Sequence, residues 1–173
     1  IKFIWALRAL FYKIKFGSFG NFSYMGKPLY ILNPKRIFIG NYVRIFPHAR
    51  IELYGNAKLI IKDNVSIGHN AHITCYEDLI IDSGTTLAGN VLLMSLIHDV
   101  SIKDIPYMDQ PLRGKKTNIG TNCLIGSNSV VLAGVTLGNQ CIVASNTTVS
   151  KNFEPYSIIA GNPGVMIKKK NFN

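Results

Sequence analysis

A period of six residues runs through the second half of this chain and limits the available folds more than any other feature. Six consecutive hexads open on an aliphatic residue: Ile119, Ile125, Val131, Leu137, Val143 and Val149. Ile, Leu and Val make up about 0.28 of the chain, so six successive matches arise by chance roughly 0.0005 of the time. Such a period is neither that of a 3.6-residue helix nor the alternation of a simple strand. It fits a short strand, a tight corner, and the same again. The large aliphatic side chain points inward, and the small fifth residue (Cys123, Ser129, Val135, Cys141, Thr147) fits beside it. Gly or Asn takes the corner, where φ turns positive. Three hexads close one triangular coil, and coils stack by parallel pairing, each burying the apolar edge of the next. Upstream the register continues through Ile39, Ile45, Ile51, then Ile61, Ile67, Ile73, then Ile81, Leu87, Leu93. The expected fold is therefore all-β, a parallel β-helix of about five coils.

Three segments break the repeat. Residues 1–16 read as an amphipathic helix, with Lys2, Arg8, Lys13 and Lys15 inside one arc of about 160° and a broad apolar face elsewhere. Residues 94–118 leave the coil as an extruded loop, and residues 155–173 form a C-terminal extension. The expected organisation is a helical segment 1–20, a β-helix 21–154 and that extension. A length of 173 residues suits one domain. With 47% apolar and 16% charged residues the chain is not disordered. Cys75, Cys123 and Cys141 are odd in number and lack metal-ligand spacing, which fits a reducing compartment, and so a cytoplasmic protein. Cys123 and Cys141 share a hexad position eighteen residues apart, so they stack as small core residues, with a disulfide as the alternative. No stretch reaches the roughly 20 apolar residues of a membrane-spanning helix. The formal charge of +10 points to an anionic partner or surface.

A long excursion inside a regular solenoid is usually functional or disordered, and the steps Ile105-Pro106 and Gln110-Pro111 with the aromatic Tyr107 favour an ordered arm. His98 stands five residues past Leu93, where the coil gives way to this loop. A histidine ordinarily titrates near pH 6.5 and accepts a proton at neutral pH.

From about Ile37 onward the chain resembles the hexapeptide-repeat O-acetyltransferases, the family of galactoside, maltose, O-antigen and capsule acetyltransferases. The resemblance is carried by His98 followed by Ile105-Pro106 and Asp109-Gln110-Pro111. It continues in the hexads from Thr117 to Gly138, in Val149-Ser150-Lys151, and in Pro155-Tyr156-Ser157-Ile158-Ile159-Ala160-Gly161-Asn162-Pro163-Gly164. It implies a left-handed β-helix, a homotrimer, and acetyl-CoA as co-substrate with no metal. It implies that His98 is the general base and that the Ser127 backbone N–H meets the thioester carbonyl. Ser145, Ser150 and Lys151 would then line the pantetheine and phosphate path, with Lys168 near the nucleotide phosphates. Asp99 is a candidate to orient the imidazole. The galactoside-type enzymes carry an asparagine near the base, whereas the corresponding position here is Gly68, followed by His69, Asn70 and His72.

The activity expected on this resemblance is acetyl transfer to a sugar hydroxyl of a surface polysaccharide or its precursor, by direct attack. One alternative is N-acetylation of an amino sugar. Another is a non-catalytic β-helix, or a zinc site if His69 and His72 join His98. A nucleic-acid module lacks a recognition motif. Residues 1–16 have two readings: peripheral attachment to a membrane surface, or packing against the β-helix or a neighbouring subunit. Arg8 interrupts the apolar run that a signal peptide needs.

Overall fold

A computed structural model describes residues 2–171, so Ile1 at the head of the expected helix and Phe172–Asn173 at the end of the extension lie outside it. The side chains of Lys2, Phe3 and Ala6 are likewise outside the description.

The hexad aliphatics are the core, in the expected register. On the first sheet Ile39 pairs with Ile61, Ile61 with Ile81, Ile81 with Ile119 and Ile119 with Leu137. On the second, Ile45, Ile67, Leu87, Ile125 and Val143 stack in the same way. The third carries Ile51, Ile73, Leu93, Val131 and Val149. All these pairings are parallel, and Ile45, Ile51, Ile67, Leu93, Ile125, Val131 and Val149 have no measurable exposure. Each such side chain removed from water contributes roughly 1.5–3 kcal/mol, which is why short two- and three-residue strands hold together. The architecture is the left-handed parallel β-helix.

The coil count exceeds the expected five. A further coil precedes Ile39, in which Phe19, Met25 and Ile31 pair with Ile39, Ile45 and Ile51. At the other end Phe153 bridges to Leu137 and Ile159 pairs with Val143, giving about seven turns. These turns escape a search for Ile, Leu and Val at hexad spacing because Phe19, Met25 and Phe153 hold inward positions and Phe153 follows Val149 by four residues instead of six.

The corners follow the expected chemistry. Asn64, Asn70, Asn90, Asn122, Asn128 and Asn146 all have φ between 53° and 60°. Asn70 donates to Asn90 and Asn90 to Asn128, each at 3.0 Å, so one corner is tied by an amide ladder. The small fifth-position residues donate across coils: Ser129 Oγ to the Ala144 carbonyl at 2.8 Å, Cys123 Sγ to the Gly138 carbonyl and Cys141 Sγ to the Glu154 carbonyl, both at 3.2 Å. All three cysteines are buried free thiols.

The helix Lys2–Lys15 caps the first coil. Ala9, Tyr12 and Phe16 are buried against it, and Tyr12, Phe16 and Phe19 form a ring cluster with centroids 5.3–5.9 Å apart. Trp5 packs on Tyr24 and Phe46 at 5.7 and 6.0 Å. The buried strip lies inside the basic arc, so the broad apolar face points outward. Ile4, Leu7, Leu10, Phe11 and Ile14 are each 53–75% exposed. No helix among the described residues is long and apolar enough to cross a membrane.

Candidate active site

The outward residue after the third aliphatic of each coil falls in one column on the third sheet. Glu52 pairs with Thr74 and Thr74 with Met94, followed over the next coils by Leu132 and Ser150. Across this column lies the arm that leaves the coil after Met94. Its strand Leu96–His98 pairs antiparallel with Leu112–Gly114, His98 opposite Leu112. The neck is closed by Ser95 Oγ donating to the Glu77 carbonyl at 2.5 Å and Thr117 Oγ1 donating to the Met94 carbonyl at 2.7 Å. Gln110 pins the tip, donating to the Ile102 and Ile105 carbonyls at 3.1 and 2.9 Å and accepting from the Ile102 N–H. The Asp109-Gln110-Pro111 run thus orders the arm.

His98 stands between two cavities. Toward the early coils, one of about 340 Å³ is lined by Arg50, Glu52, Tyr54, Thr74, Leu96, His98, Met108 and Leu112. Toward the later coils, one of about 270 Å³ is lined by Met94, Leu96, Ile97, His98, Leu132, Ala133 and Ser150. The first is polar at its floor and the second mostly apolar. The imidazole Nδ1 is buried and has no hydrogen-bond partner among the described residues.

Asp99 is committed elsewhere. Its Oδ1 accepts from the Ser101 N–H at 2.9 Å and the Ser101 hydroxyl at 2.6 Å, and its Oδ2 from Arg113 Nε at 2.6 Å. The Ser101 bonds first, and then Arg113, hold its carboxyl below the usual range. Both oxygens are therefore used in ordering the arm.

The other expected residues fall at three places. Ser150 shares the apolar cavity with His98, and Lys151 follows it at the same corner with its ammonium 5.7 Å from the Phe153 ring centroid. Ser127 and Ser145 stack at the neighbouring corner, where the Asn146 N–H donates to the Ser127 carbonyl at 2.9 Å. One chain does not bring that corner to His98. Lys168 lies on the strand Val165–Lys169, which extends the second sheet antiparallel, with Lys168 opposite Ile158.

Gly68 supports the peptide of the next coil, and a Cβ there would lie 2.5 Å from the Ala88 carbonyl carbon. The asparagine of the galactoside-type enzymes has no room at this position. His69 packs on Phe46 with ring centroids 5.0 Å apart and planes tilted by 45°, and neither cavity beside His98 is lined by Gly68, His69 or Asn70.

Sequence reading missed the cluster on the polar side. Arg50 donates to both oxygens of Glu52 at 2.9 Å, and His72 Nε2 lies 3.0 Å from Glu52 Oε2. The Tyr54 hydroxyl donates to Oε1 at 3.3 Å. The Glu52 side chain is only 7% exposed, and the Arg50 hydrogen bond leads in holding its carboxyl below the usual range. The signal lay in the outward column, where a carboxylate stands among Thr, Met and Leu.

Comparison with known proteins agrees with this architecture. Residues 116–151 match the family model described as the hexapeptide repeat of succinyl-transferase. The chain is 28% identical over 151 residues to the putative lipopolysaccharide biosynthesis O-acetyl transferase WbbJ of Escherichia coli K12, covering 83% of this chain and 77% of that one. It is 45% identical over 69 residues to a probable macrolide acetyltransferase of Lysinibacillus sphaericus, covering 39% and 38% of the two chains. In fold it matches the N-acyltransferase AntD of Bacillus cereus, crystallised with dTDP and 3-hydroxybutyryl-CoA, at TM-score 0.82 and 22% identity, over 95% of this chain and 88% of that one. It also matches a maltose O-acetyltransferase of Clostridium difficile 630 at TM-score 0.67 and 19% identity, over 97% and 77%. At these identities the two structural likenesses bear on the fold alone.

Proposed function

We propose that this chain, a hexapeptide-repeat acyltransferase, transfers an acetyl group from acetyl-CoA to a sugar hydroxyl with His98 as general base. The observation that carries the reading is the place of His98 at the wall shared by a polar and an apolar cavity. A hydroxyl entering from the polar side and a thioester from the apolar side meet at one imidazole. His98 takes the acceptor proton as the acceptor oxygen bonds to the acyl carbon. The carbon–sulfur bond then breaks, and the imidazolium returns the proton to the departing thiolate. General base catalysis of this kind contributes about 10²–10⁴-fold. Asp99 acts through the arm, fixing its base by the Ser101 and Arg113 bonds. Transfer is direct, because among the described residues no serine or cysteine is hydrogen-bonded to His98 Nδ1 and the thiols of Cys75, Cys123 and Cys141 are buried in the solenoid.

Met94, Leu132, Ala133 and Ser150 offer an apolar trough with one hydroxyl, suited to a pantetheine arm. Ser127 and Ser145 sit one corner away, so a homotrimer in which a neighbour's corner faces this trough completes the path and supplies the Ser127 N–H as oxyanion donor. Such a donor is worth about 3–4 kcal/mol in transition-state stabilisation. Lys151 and Lys168 then meet the phosphates. Replacing both with alanine is expected to raise the apparent KM for acetyl-CoA about tenfold at low salt and leave the acceptor KM unchanged, a difference that added salt erases. An unchanged acetyl-CoA KM assigns the basic tail to another task.

A hydroxyl acceptor is favoured over an amine because the carboxylates nearest His98 are already paired, Glu52 with Arg50 and His72, Asp99 with Ser101 and Arg113. Among the residues lining the two cavities the one carboxylate, Glu52, is already paired, so an arriving ammonium meets no free counter-charge there. The deciding experiment offers acetyl-CoA and a panel of glycosides and amino sugars to the purified protein. An acetylated product labile to hydroxylamine is an ester and supports the reading; a stable amide, or no product, overturns it. The acceptor is best placed in a polysaccharide pathway at the cytoplasmic membrane face, with the exposed face of the N-terminal helix resting on anionic lipid.

A further inference from the structure

Two residues that line the polar cavity, His98 and Thr74, each carry a buried polar atom with no hydrogen-bond partner among the described residues, Nδ1 and Oγ1. Burial strips both of water, and a buried donor or acceptor is normally paired. His98 is accounted for by the transfer chemistry, but Thr74 is not. It lies between Glu52 and Met94 in the outward column, where a β-helix has no structural need of a hydroxyl. Beside it, Glu52 binds Arg50 through Nε and Nη2, which occupies one edge of the guanidinium. The other edge, with Nη1, belongs to a side chain that is 47% exposed. The carboxylate cancels the charge of this arginine, so the pair does not act as an anion trap. What remains is a rigid fork of N–H donors, aimed by Glu52 and held at Glu52 by His72 and Tyr54. A neutral donor fork, a hydroxyl able both to donate and to accept, and an imidazole in one cavity match a group presenting several adjacent hydroxyls.

Resting on the transfer reading above, we propose that Arg50 and Thr74 form the acceptor-recognition site, binding neighbouring ring hydroxyls of a glycoside so that one of them reaches His98. Arg50 donates to one hydroxyl oxygen and Thr74 exchanges a hydrogen bond with the next. Glu52 is a positioning residue that acts through Arg50. Met108 and Leu112 of the arm supply the apolar cover against the face of the sugar ring.

Saturation-transfer NMR with a panel of methyl hexopyranosides, run on the full-length protein without acetyl-CoA, tests this separately from catalysis. The wild type and His98→Ala are expected to bind a glycoside of the panel. Arg50→Ala and Thr74→Val are expected to weaken that binding at least tenfold, and all four proteins bind acetyl-CoA alike. Thr74→Val keeps the side-chain shape and removes an unpaired buried hydroxyl, so its melting temperature stays the same or rises while binding falls. A purely structural threonine would not give that combination. Glycoside binding that survives both substitutions, or no glycoside bound by the wild type, overturns the proposal. Full activity in His98→Ala would instead overturn the catalytic reading, with the binding result standing by itself.

Discussion

Replacing His98 with alanine is expected to lower turnover by about 10²–10⁴-fold while the protein keeps its fold and its affinity for acetyl-CoA. That loss corresponds to about 3–5.5 kcal/mol of transition-state stabilisation. The fold is expected to survive because the His98 side chain contributes no Nδ1 hydrogen bond to it. The arm is held instead by Ser95, Thr117, Gln110 and the Asp99–Arg113 pair. Truncation joins the two cavities and leaves room for free imidazole, so millimolar imidazole should restore part of the rate. Steady-state kinetics with the acceptor found in the panel assay is the measurement. Near-wild-type turnover in this variant would remove His98 from the chemistry.

The second large effect is expected at the N-terminal helix. Ile4, Leu7, Leu10, Phe11 and Ile14 form an outward apolar face on a chain of charge +10. Lys13 and Lys15 flank it, the latter with its ammonium 4.4 Å from the Phe11 ring centroid. This is the arrangement of a helix lying in a lipid interface, where lysine stems run along the apolar surface and their charges reach the headgroups. Each basic residue near an anionic leaflet adds about 1 kcal/mol, so a few together with the buried apolar area give reversible attachment. Deleting the helix would uncover Phe16 and Phe19, so the cleaner variant is Leu7→Gln, Leu10→Gln and Ile14→Gln together, all at exposed positions. In co-sedimentation with phosphatidylglycerol-rich vesicles, the wild type is expected to pellet and the triple variant to lose at least tenfold in binding. Vesicles of phosphatidylcholine alone should hold the wild type weakly. Equal binding by both proteins, or binding by neither, assigns this face to another occupant, a second copy of the chain being the first to test by sizing.

The solenoid itself was written in the spacing. The spacing alone puts Ile39, Ile61, Ile81, Ile119 and Leu137 on one inner column, because each coil buries its apolar edge against a neighbour of the same pattern. The end coils were less legible. Phe19 and Met25 keep the six-residue spacing but are not Ile, Leu or Val, whereas Phe153 follows Val149 by only four residues and so falls out of the hexad frame. The helix was readable as amphipathic, yet its packed strip proved to lie within the basic arc. Only the first coil decides which side of a short helix is covered.

The sequence by itself determined the repeat, the inward residues and the point at which the arm departs, because these depend on local period and on turn chemistry. The contacts of the arm were decided by the tertiary structure. His98 reaches Glu52 and Thr74 on one side and Leu132 and Ser150 on the other only because the arm folds back across coils up to 52 positions away in the chain. Of the two partners of Asp99, Ser101 is local, while Arg113 stands fourteen residues on and is brought in by the antiparallel return of the arm. Outward residues carry no periodic constraint, since water accepts almost any side chain there. The chemistry they form therefore becomes visible only when stacking sets one coil beside the next.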